Sequence, residues 1–453
     1  MTRYLEKVYV ISVVFLLAII FLKEFVDFAF LDNIGVAFLM LVLIPGVILA
    51  KGIPFYMSVV SLVLGHILLF KYNMPYSIWL EGITKNLPLA TIFLMVPILS
   101  IPLKEGGYLE TVNFLISKNI SKTCGLFFTI SSSLFGLASI ANLGAVRVFH
   151  DLIKDVKLPV RFLGKAYCAG FSGCIAWSPY FASVNLVLYY TGVPFNEYFL
   201  VGFIYGLIVL VTGNLLFIRD RVCQNEVKSQ THVIQEPEDS KKKFKYLMLN
   251  LIGLFIAVII GEKYFNFSNM MFWVSMLALV YAFIWSFLIG KFKEFLVQMG
   301  NYDQKIVQVK NELIFFLCVG FIGVILANTP LQGIIESFFT IISGYSTFIV
   351  VELIIVVTAL LSAIGIHHVI TLTAIGLSIQ GHILGLSDIT YSLTLIAAYT
   401  ISMITSPFAP FNIISGGLFN ESSFVVSLKW NRIFAITLVP ISGIFIIVLN
   451  YFI

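Results

Sequence analysis

The chain has 453 residues, of which 59% are hydrophobic and 11% are charged. Because soluble domains carry about 25% charged residues, this composition excludes a soluble globular protein and indicates a chain that lies mostly in lipid. Lys and Arg (28) exceed Asp and Glu (23) by only five, which argues against nucleic acid as a partner. Five scattered cysteines form no CxxC pair, so neither a zinc site nor a disulfide framework is indicated.

Apolar runs of about 20 residues, the length that crosses a bilayer, recur along the chain. The first run follows a basic start, but no small-residue cleavage site comes after it, so we expect a retained first helix. Eleven membrane-spanning helices are predicted, at residues 8–22, 33–50, 53–70, 84–102, 165–190, 198–218, 246–262, 269–290, 312–328, 391–417 and 432–452.

The longest polar interruption covers residues 219–245 and contains seven Lys and Arg residues. It shows no hydrophobic periodicity and is interpreted as a loop, which the positive-inside rule places in the cytoplasm. Counting spans outward from this loop predicts a cytoplasmic N-terminus and an extracytoplasmic C-terminus. We expect the protein in the inner or plasma membrane, surrounded by the lipid bilayer.

Two stretches of the sequence run in parallel, and such internal repeats define an architecture. Each has an apolar span, an amphipathic segment (105–122 or 331–343), a folded-back apolar region, an interrupted helix and a last span. The prediction is an all-α polytopic membrane protein of about 11 transmembrane helices with two re-entrant helical hairpins in two inverted repeats. The predicted parts are scaffold helices at 1–83, a first repeat at 84–218 (hairpin 124–158, interrupted helix 165–190), the loop 219–245, scaffold helices at 246–311, and a second repeat at 312–453 (hairpin 347–384, interrupted helix 391–417).

Charge distribution predicts that the repeats are inverted. Residues 311–428 contain no Lys or Arg, although the acids Glu312, Glu336, Glu352, Asp388 and Glu421 remain there. The depletion is therefore selective for cations, which positive-inside selection keeps off the outer side. Inverted repeats of this kind are typical of secondary transporters.

The predicted hairpin tips are runs of small or polar residues inside membrane sequence, at Ser139–Gly144 and Ser362–His368. Lipid-facing backbone of this kind is costly, because its open N–H and C=O groups lack water partners. Such runs are tolerated at a protein-buried tip or beside a water-filled cavity. The alternative for each is a kinked single helix packed through small residues.

Two predicted spans contain Ser-Pro followed by an aromatic residue and later Asn. Proline removes a helix hydrogen bond but suits the first turn of a new helix, where a preceding serine can cap. We therefore expect a second half-helix to start at Ser178-Pro179 and at Ser406-Pro407. Its free N–H groups favour an anion, and nearby oxygen atoms could coordinate a cation or bind substrate: Ser178, Ser183, Asn185, Thr405, Ser406 and Asn412. The alternative is an ordinary structural kink.

These interrupted segments, Gly173 to Asn185 and Ser406 to Asn412 with Gly416-Gly417, resemble those of the ion transporter superfamily, which includes the divalent anion:sodium symporters and the arsenite antiporters. The resemblance implies an elevator-type transporter, a homodimer and a small anionic solute. It places substrate-binding groups at Ser139, Asn142, Gly144, Ser178, Pro179, Ser183, Asn185, Gly365, His367, Thr405, Ser406, Pro407 and Asn412. The family's Ser-Asn-Thr tips are replaced here by Ala141-Asn142-Leu143 and Ile366-His367-His368.

Because an imidazole is not a hard oxygen ligand for sodium but titrates near neutral pH, coupling to either Na⁺ or H⁺ is left open. The candidates for the coupling ion or proton are His367, His368, Glu352 and Arg147. The alternative for both histidines is that they only form hydrogen bonds within a packed tip, and the alternative for Glu352 is that its carboxylate reaches toward the outer surface. Arg147 could either pair with a substrate carboxylate or mark the cytoplasmic end of a helix.

The predicted function is secondary active transport of a carboxylate or oxyanion, with no enzyme activity, no metal and no cofactor. No GxxxxGK[ST] motif for nucleotide hydrolysis occurs. Two alternatives remain: a cation/proton antiporter of the same fold, and a polytopic membrane enzyme or polysaccharide polymerase. The short outer loops and the cation-free second repeat argue against the last.

Overall fold

The structure is a computed structural model that describes residues 2–26, 28–108, 111, 123–153, 158–227, 240–264 and 270–453. Within these ranges the protein consists of helices, turns and connecting segments without a β-strand. The all-α prediction is confirmed.

The N-terminal part begins with three long apolar helices, α1 (Thr2–Lys23), α2 (Ala29–Leu49) and α3 (Gly52–Lys71). The span predicted at 84–102 is broken into pieces: α4 (Tyr76–Thr84), α5 (Leu87–Met95), a 3₁₀ turn (Val96–Leu99) and α6 (Ser100–Glu105). Prolines occupy the first turns of α5 and of the 3₁₀ turn. Because proline cannot donate a helix hydrogen bond, the pieces start where the prolines stand.

The next group of helices contains the first predicted hairpin and interrupted helix. It comprises α7 (Thr123–Ile153), α8 (Val160–Ile175), α9 (Ala182–Thr191), α10 (Phe195–Arg219) and α11 (Arg221–Val227). The predicted amphipathic segment 105–122 lies largely outside the described residues.

Residues 219–245 were predicted to form a loop, and this is wrong at both ends. Helix α11 follows α10 after a turn at Asp220, whose Oδ1 atom accepts a 3.1 Å hydrogen bond from the Cys223 backbone N–H. A side chain that accepts from the first turn in this way starts a helix. Helix α12 (Ser240–Tyr264) begins before the predicted end of the loop, and residues 228–239 lie outside the described part.

Helix α13 (Met270–Leu288) and the short helices α14 (Phe292–Gly300) and α15 (Tyr302–Gln308) lead into the second half. That half contains α16 (Lys310–Ala327), α17 (Leu331–Ser343), α18 (Thr347–Ala363), α19 (His368–Ser378), a 3₁₀ turn (Gly381–Leu384), α20 (Asp388–Thr405), α21 (Pro410–Phe419), a π turn (Val425–Trp430) and α22 (Arg432–Phe452).

Eleven helical segments of the described chain are long and apolar enough to cross a membrane. Ten coincide with predicted spans. The eleventh is Thr123–Asp151, which the sequence analysis interprets as a hairpin, whereas the predicted span 165–190 consists of two shorter helices, α8 and α9. Buried side chains form two clusters: a large one that runs through α7–α13 and α18–α22 and includes residues of α5 and α16, and a smaller one centred on α1, α2 and α16.

Candidate functional site at the two interrupted helices

Both helices that contain a Ser-Pro pair are interrupted. Helix α8 ends at Ile175 and α9 starts at Ala182, while α20 ends at Thr405 and α21 starts at Pro410. The new half-helices therefore start three residues after Pro179 and Pro407, the positions predicted as their starts. Pro410, not Pro407, occupies a first-turn position. The predicted capping role of the two serines is wrong for this reason.

Ser178 and Ser406 make matching hydrogen bonds instead. The Ser178 hydroxyl donates to the carbonyl of Ser139 at 2.6 Å, and the Ser406 hydroxyl donates to the carbonyl of Ser362 at 2.7 Å. Each hydroxyl also accepts from the backbone N–H two residues further on, at 3.2 and 3.3 Å. All four serines are buried, so each interrupted segment is joined to a predicted hairpin tip by a bond shielded from water.

Asn185 and Asn412 hold the interrupted segments in shape. The Asn185 side-chain NH₂ donates to the carbonyl of Pro179 at 2.5 Å, and the Asn412 NH₂ donates to the carbonyl of Ser406 at 2.9 Å. These donations fix the orientation of both amides, because an oxygen in the same place would face another oxygen. The two Oδ1 atoms are buried and accept no hydrogen bond from the described residues.

The first predicted tip is a break inside α7. Asn142 has φ 51° and ψ −140°, which ends the helical path. Its side chain accepts from the Leu143 backbone N–H at 2.7 Å and donates to the carbonyl of Tyr180 at 3.2 Å. Asn142 thus connects the tip to the interrupted segment a second time, beside the bond from Ser178.

The two arms of α7 contact α8 in opposite order. Phe127 lies against Phe162 at a ring-centroid distance of 5.6 Å near the start of α8, and Ser139 meets Ser178 just beyond the end of α8. After the break, the Phe149 ring lies 5.7 Å from the ring of Tyr167, in the middle of α8. The partners move forward along α8 and then back, so the chain reverses direction at the break. Re-entry into a membrane remains a prediction.

The second predicted tip lies between α18 and α19. Gly365 has φ 110°, a conformation that glycine adopts without steric cost. His367 caps α19, because its Nδ1 atom accepts from the Val369 backbone N–H at 3.3 Å. The His367 and His368 rings stack at 4.1 Å, and the Nδ1 atom of His368 lies 3.3 Å from the Ser362 hydroxyl.

Two adjoining cavities lie between these elements. The smaller, about 60 Å³, is lined by residues of both tips and both interrupted helices, among them Asn142, Phe181, Glu312, His367, His368 and Phe411. The larger, about 230 Å³, is lined by Asn142, Gly144, Arg147, Tyr302, Lys305 and Glu312, among others. The structure thus brings residues of the two predicted repeats to one place.

Several predicted site residues lie in other surroundings. The Ser183 hydroxyl donates back across the break to the carbonyl of Ile175 at 2.8 Å, and the Thr405 hydroxyl bonds within its own helix. Glu352 lies against Gly443 of α22 and lines neither cavity. It precedes Ser362 by ten residues in α18, or about 15 Å along the helix.

Glu312 is the residue of this site that the sequence analysis did not select. It stands in the first turn of α16 and lines both cavities. An acid within an apolar span is a functional candidate by default, and this signal was present in the sequence. Across the larger cavity, burial and the neighbouring Lys104 lower the pKa of Lys305 below its ordinary value.

No family model matches the chain, and no curated protein sequence matches it. Among solved structures, it is similar to the YdaH transporter of Alcanivorax borkumensis, whose crystal structure is described as having an unusual topology. The TM-score is 0.54 at 12% sequence identity, over 87% of this chain and 97% of the other. At this identity the likeness shows a shared fold.

Proposed function

We propose that the protein is a secondary active transporter that moves a small anion, a carboxylate or an oxyanion, across the membrane and couples this movement to Na⁺ or H⁺. The observation that carries the proposal is the matched pair of serine bonds, Ser178 to Ser139 and Ser406 to Ser362, which join two interrupted helices to two breaks in the chain. Broken helices that meet at one cavity are typical of such transporters. The fold shared with a protein described as a transporter supports this class.

The smaller cavity has features that suit an anion. Ala182 at the start of α9 and Pro410 with Phe411 at the start of α21 line it. A helix start presents unpaired N–H groups and the positive end of the helix dipole. Two such starts at one cavity favour a carboxylate or an oxyanion, and Arg147 at the adjoining cavity adds a guanidinium donor.

The unpaired amide oxygens of Asn185 and Asn412 support a coupling cation close to the interrupted segments. Both are buried and neutral, and neutral oxygen atoms are ligands of hard cations. We further propose an elevator-type movement in a homodimer, in which the hairpins, the interrupted helices and the last helix of each predicted repeat (α7–α10 and α18–α22) travel together.

The test is transport by the purified full chain in proteoliposomes, with succinate, citrate, sulfate and phosphate offered separately under a sodium gradient or a pH gradient. We expect uptake of at least one anion, and its loss in Asn185→Ala and Asn412→Ala. Asn301→Ala is the control, because its amide bonds at 3.1 Å within an exposed turn. Full uptake by either site variant, or no uptake of any anion by the parent chain, would contradict the proposal.

A further inference from the structure

Glu312 carries a buried carboxylate oxygen without a partner. Its Oε2 atom is shielded from solvent and accepts no hydrogen bond from the described residues. The side chain lines the smaller cavity beside both tips and the larger cavity beside Arg147. Glu312 is therefore the carboxylate that the proposed anion would meet in either cavity.

Burial of an unpaired carboxylate requires compensation, by a counter-charge or by a proton. The first turn of α16 supplies part of it, because the positive end of a helix dipole favours an acid. The remaining compensation comes from cations. The nearby cations are Arg147, which lines the larger cavity together with Glu312, and Lys310, two residues earlier in α16.

Arg147 and Glu312 belong to different parts of the fold. Arg147 stands five residues after the Asn142 break, on the second arm of α7, whereas Glu312 stands in the first turn of α16. Both side chains line the larger cavity, where an incoming anion meets the same guanidinium that balances Glu312. Two anions cannot both be neutralised by one cation, so they compete for it.

We infer that Glu312 is an internal counter-anion for Arg147, which the transported anion displaces and which then takes up one proton. The inference rests on the proposed function, since it assumes an anionic solute. The proton comes from the aqueous phase and bonds to a Glu312 carboxylate oxygen, so that one anion and one proton enter the site together. Anion binding is then tighter at low pH.

The titratable and charged groups around Glu312 come from several elements: Tyr9 of α1, Arg147 of α7, Tyr302 and Lys305 of α15, Lys310 of α16 itself, His367 and His368 at the second tip, and Tyr399 of α20. The two histidines already serve structural bonds. His367 uses its Nδ1 atom to cap α19, and His368 pairs with Ser362. Protonation of either ring would place a charge against the other at 4.1 Å.

The experiment measures binding of succinate and of sulfate to the detergent-purified full chain by thermal-shift titration, at constant sodium and between about pH 5.5 and 8. For the parent chain we expect about tenfold tighter binding at the lower pH, within the usual range of coupling between sites. Glu312→Gln should bind tightly at both pH values. Arg147→Gln should lose binding at both.

The matched controls carry the same changes of charge outside this pairing. Glu421→Gln removes an exposed carboxylate, and Lys293→Gln removes an exposed cation of α14. Both should keep the pH dependence of the parent chain. A Glu312→Gln variant with the parent's pH dependence would overturn the inference, as would one that requires low pH more strongly.

Infrared difference spectra at the lower pH, recorded with and without saturating sulfate, test the proton site directly. A protonated-carboxyl band that appears in the parent chain when sulfate binds and does not appear in Glu312→Gln supports the inference, and its absence from the sulfate-bound parent overturns it. If an anion binds without the band or the pH dependence, only the inference falls; if neither anion binds at either pH, the proposed anion transport falls with it.

Discussion

Phe171 and Phe411 stack with their ring centroids 4.8 Å apart and their planes at 18°. Phe171 belongs to α8, before the first break, and Phe411 to α21, just after the second. Both line the smaller cavity. The two interrupted helices therefore touch through an aromatic pair at the same place where their breaks meet the cavity.

The first prediction concerns this pair. Phe171→Leu and Phe411→Leu should each lower the free energy of unfolding. The loss in the double variant should be about 0.5–1.5 kcal/mol smaller than the sum of the two single losses, because both single variants remove the same aromatic contact. The measurement is a double-mutant cycle of unfolding in mixed micelles. Phe171→Leu with Phe127→Leu is the control, and strict additivity in both pairs would show that the stacking contributes nothing.

The second prediction concerns the matched serine bonds. Ser178→Ala and Ser406→Ala each leave a buried tip carbonyl without its donor, which should cost about 1–3 kcal/mol of unfolding free energy and reduce transport. Ser427→Ala removes an equally buried hydroxyl whose 2.8 Å bond stays within one turn of helix, and it should keep transport. Normal uptake in both site variants would show that the tips do not depend on these bonds.

The third prediction concerns the contact between α7 and α8. A Cβ atom at Gly170 would lie 2.2 Å from the Ser131 carbonyl oxygen, whereas at Gly136 it would meet nothing within 4 Å. Small residues allow membrane helices to approach closely, so Gly170→Ala should lower the melting temperature sharply. Gly136→Ala should leave it unchanged or raise it slightly, since alanine favours a helix. Equal melting temperatures for the two variants would contradict this close approach.

The fourth prediction concerns Asp220, which lies between α10 and α11 and bonds to Lys165. Burial alone would raise the pKa of Asp220, but the bond from Lys165, the Cys223 N–H and the charge of Arg161 bring the pKa below its ordinary value of 3.8. The ionised carboxylate therefore stabilises the fold at all pH values above about 4, and this contribution is lost as the pH falls through the lower folded-state pKa.

The measurement is the melting temperature of Asp220→Asn and the parent chain as a function of pH. The variant should be less stable by an amount on the order of 1 kcal/mol near neutral pH, and the difference should shrink below about pH 4. Glu294→Gln removes an exposed ion pair with Lys291 and should change nothing. A difference for Asp220→Asn that persists unchanged into strong acid would refute the role of its charge.

The spans and the breaks were predictable because their causes are local. A run such as Val324 to Ala327 needs no partner to favour lipid, and Pro179 or Pro407 removes a helix hydrogen bond wherever it stands. The start of each new half-helix was not predictable. Ser178 does not cap a helix because its hydroxyl donates to a carbonyl 39 residues earlier, and the Ser406 hydroxyl donates to one 44 residues earlier.

Side-chain direction also depended on distant residues. Glu352 turns toward α22 because Gly443 has no side chain there: a Cβ atom at Gly443 would lie 2.0 Å from its carboxylate oxygen. In the sequence, nothing distinguishes Glu312 from other acids near a helix start. Its position at two cavities follows from the packing of α16 against α19 and α5.

The amino-acid sequence by itself determined that the chain is helical, that most of its spans lie where the apolar runs lie, and where proline interrupts them, since hydrophobicity and missing N–H groups act within a few residues. Only the tertiary structure decided which carbonyl each serine meets and which carboxylate faces the cavities. Those contacts join residues dozens to hundreds of positions apart, and their geometry is set by how whole helices pack.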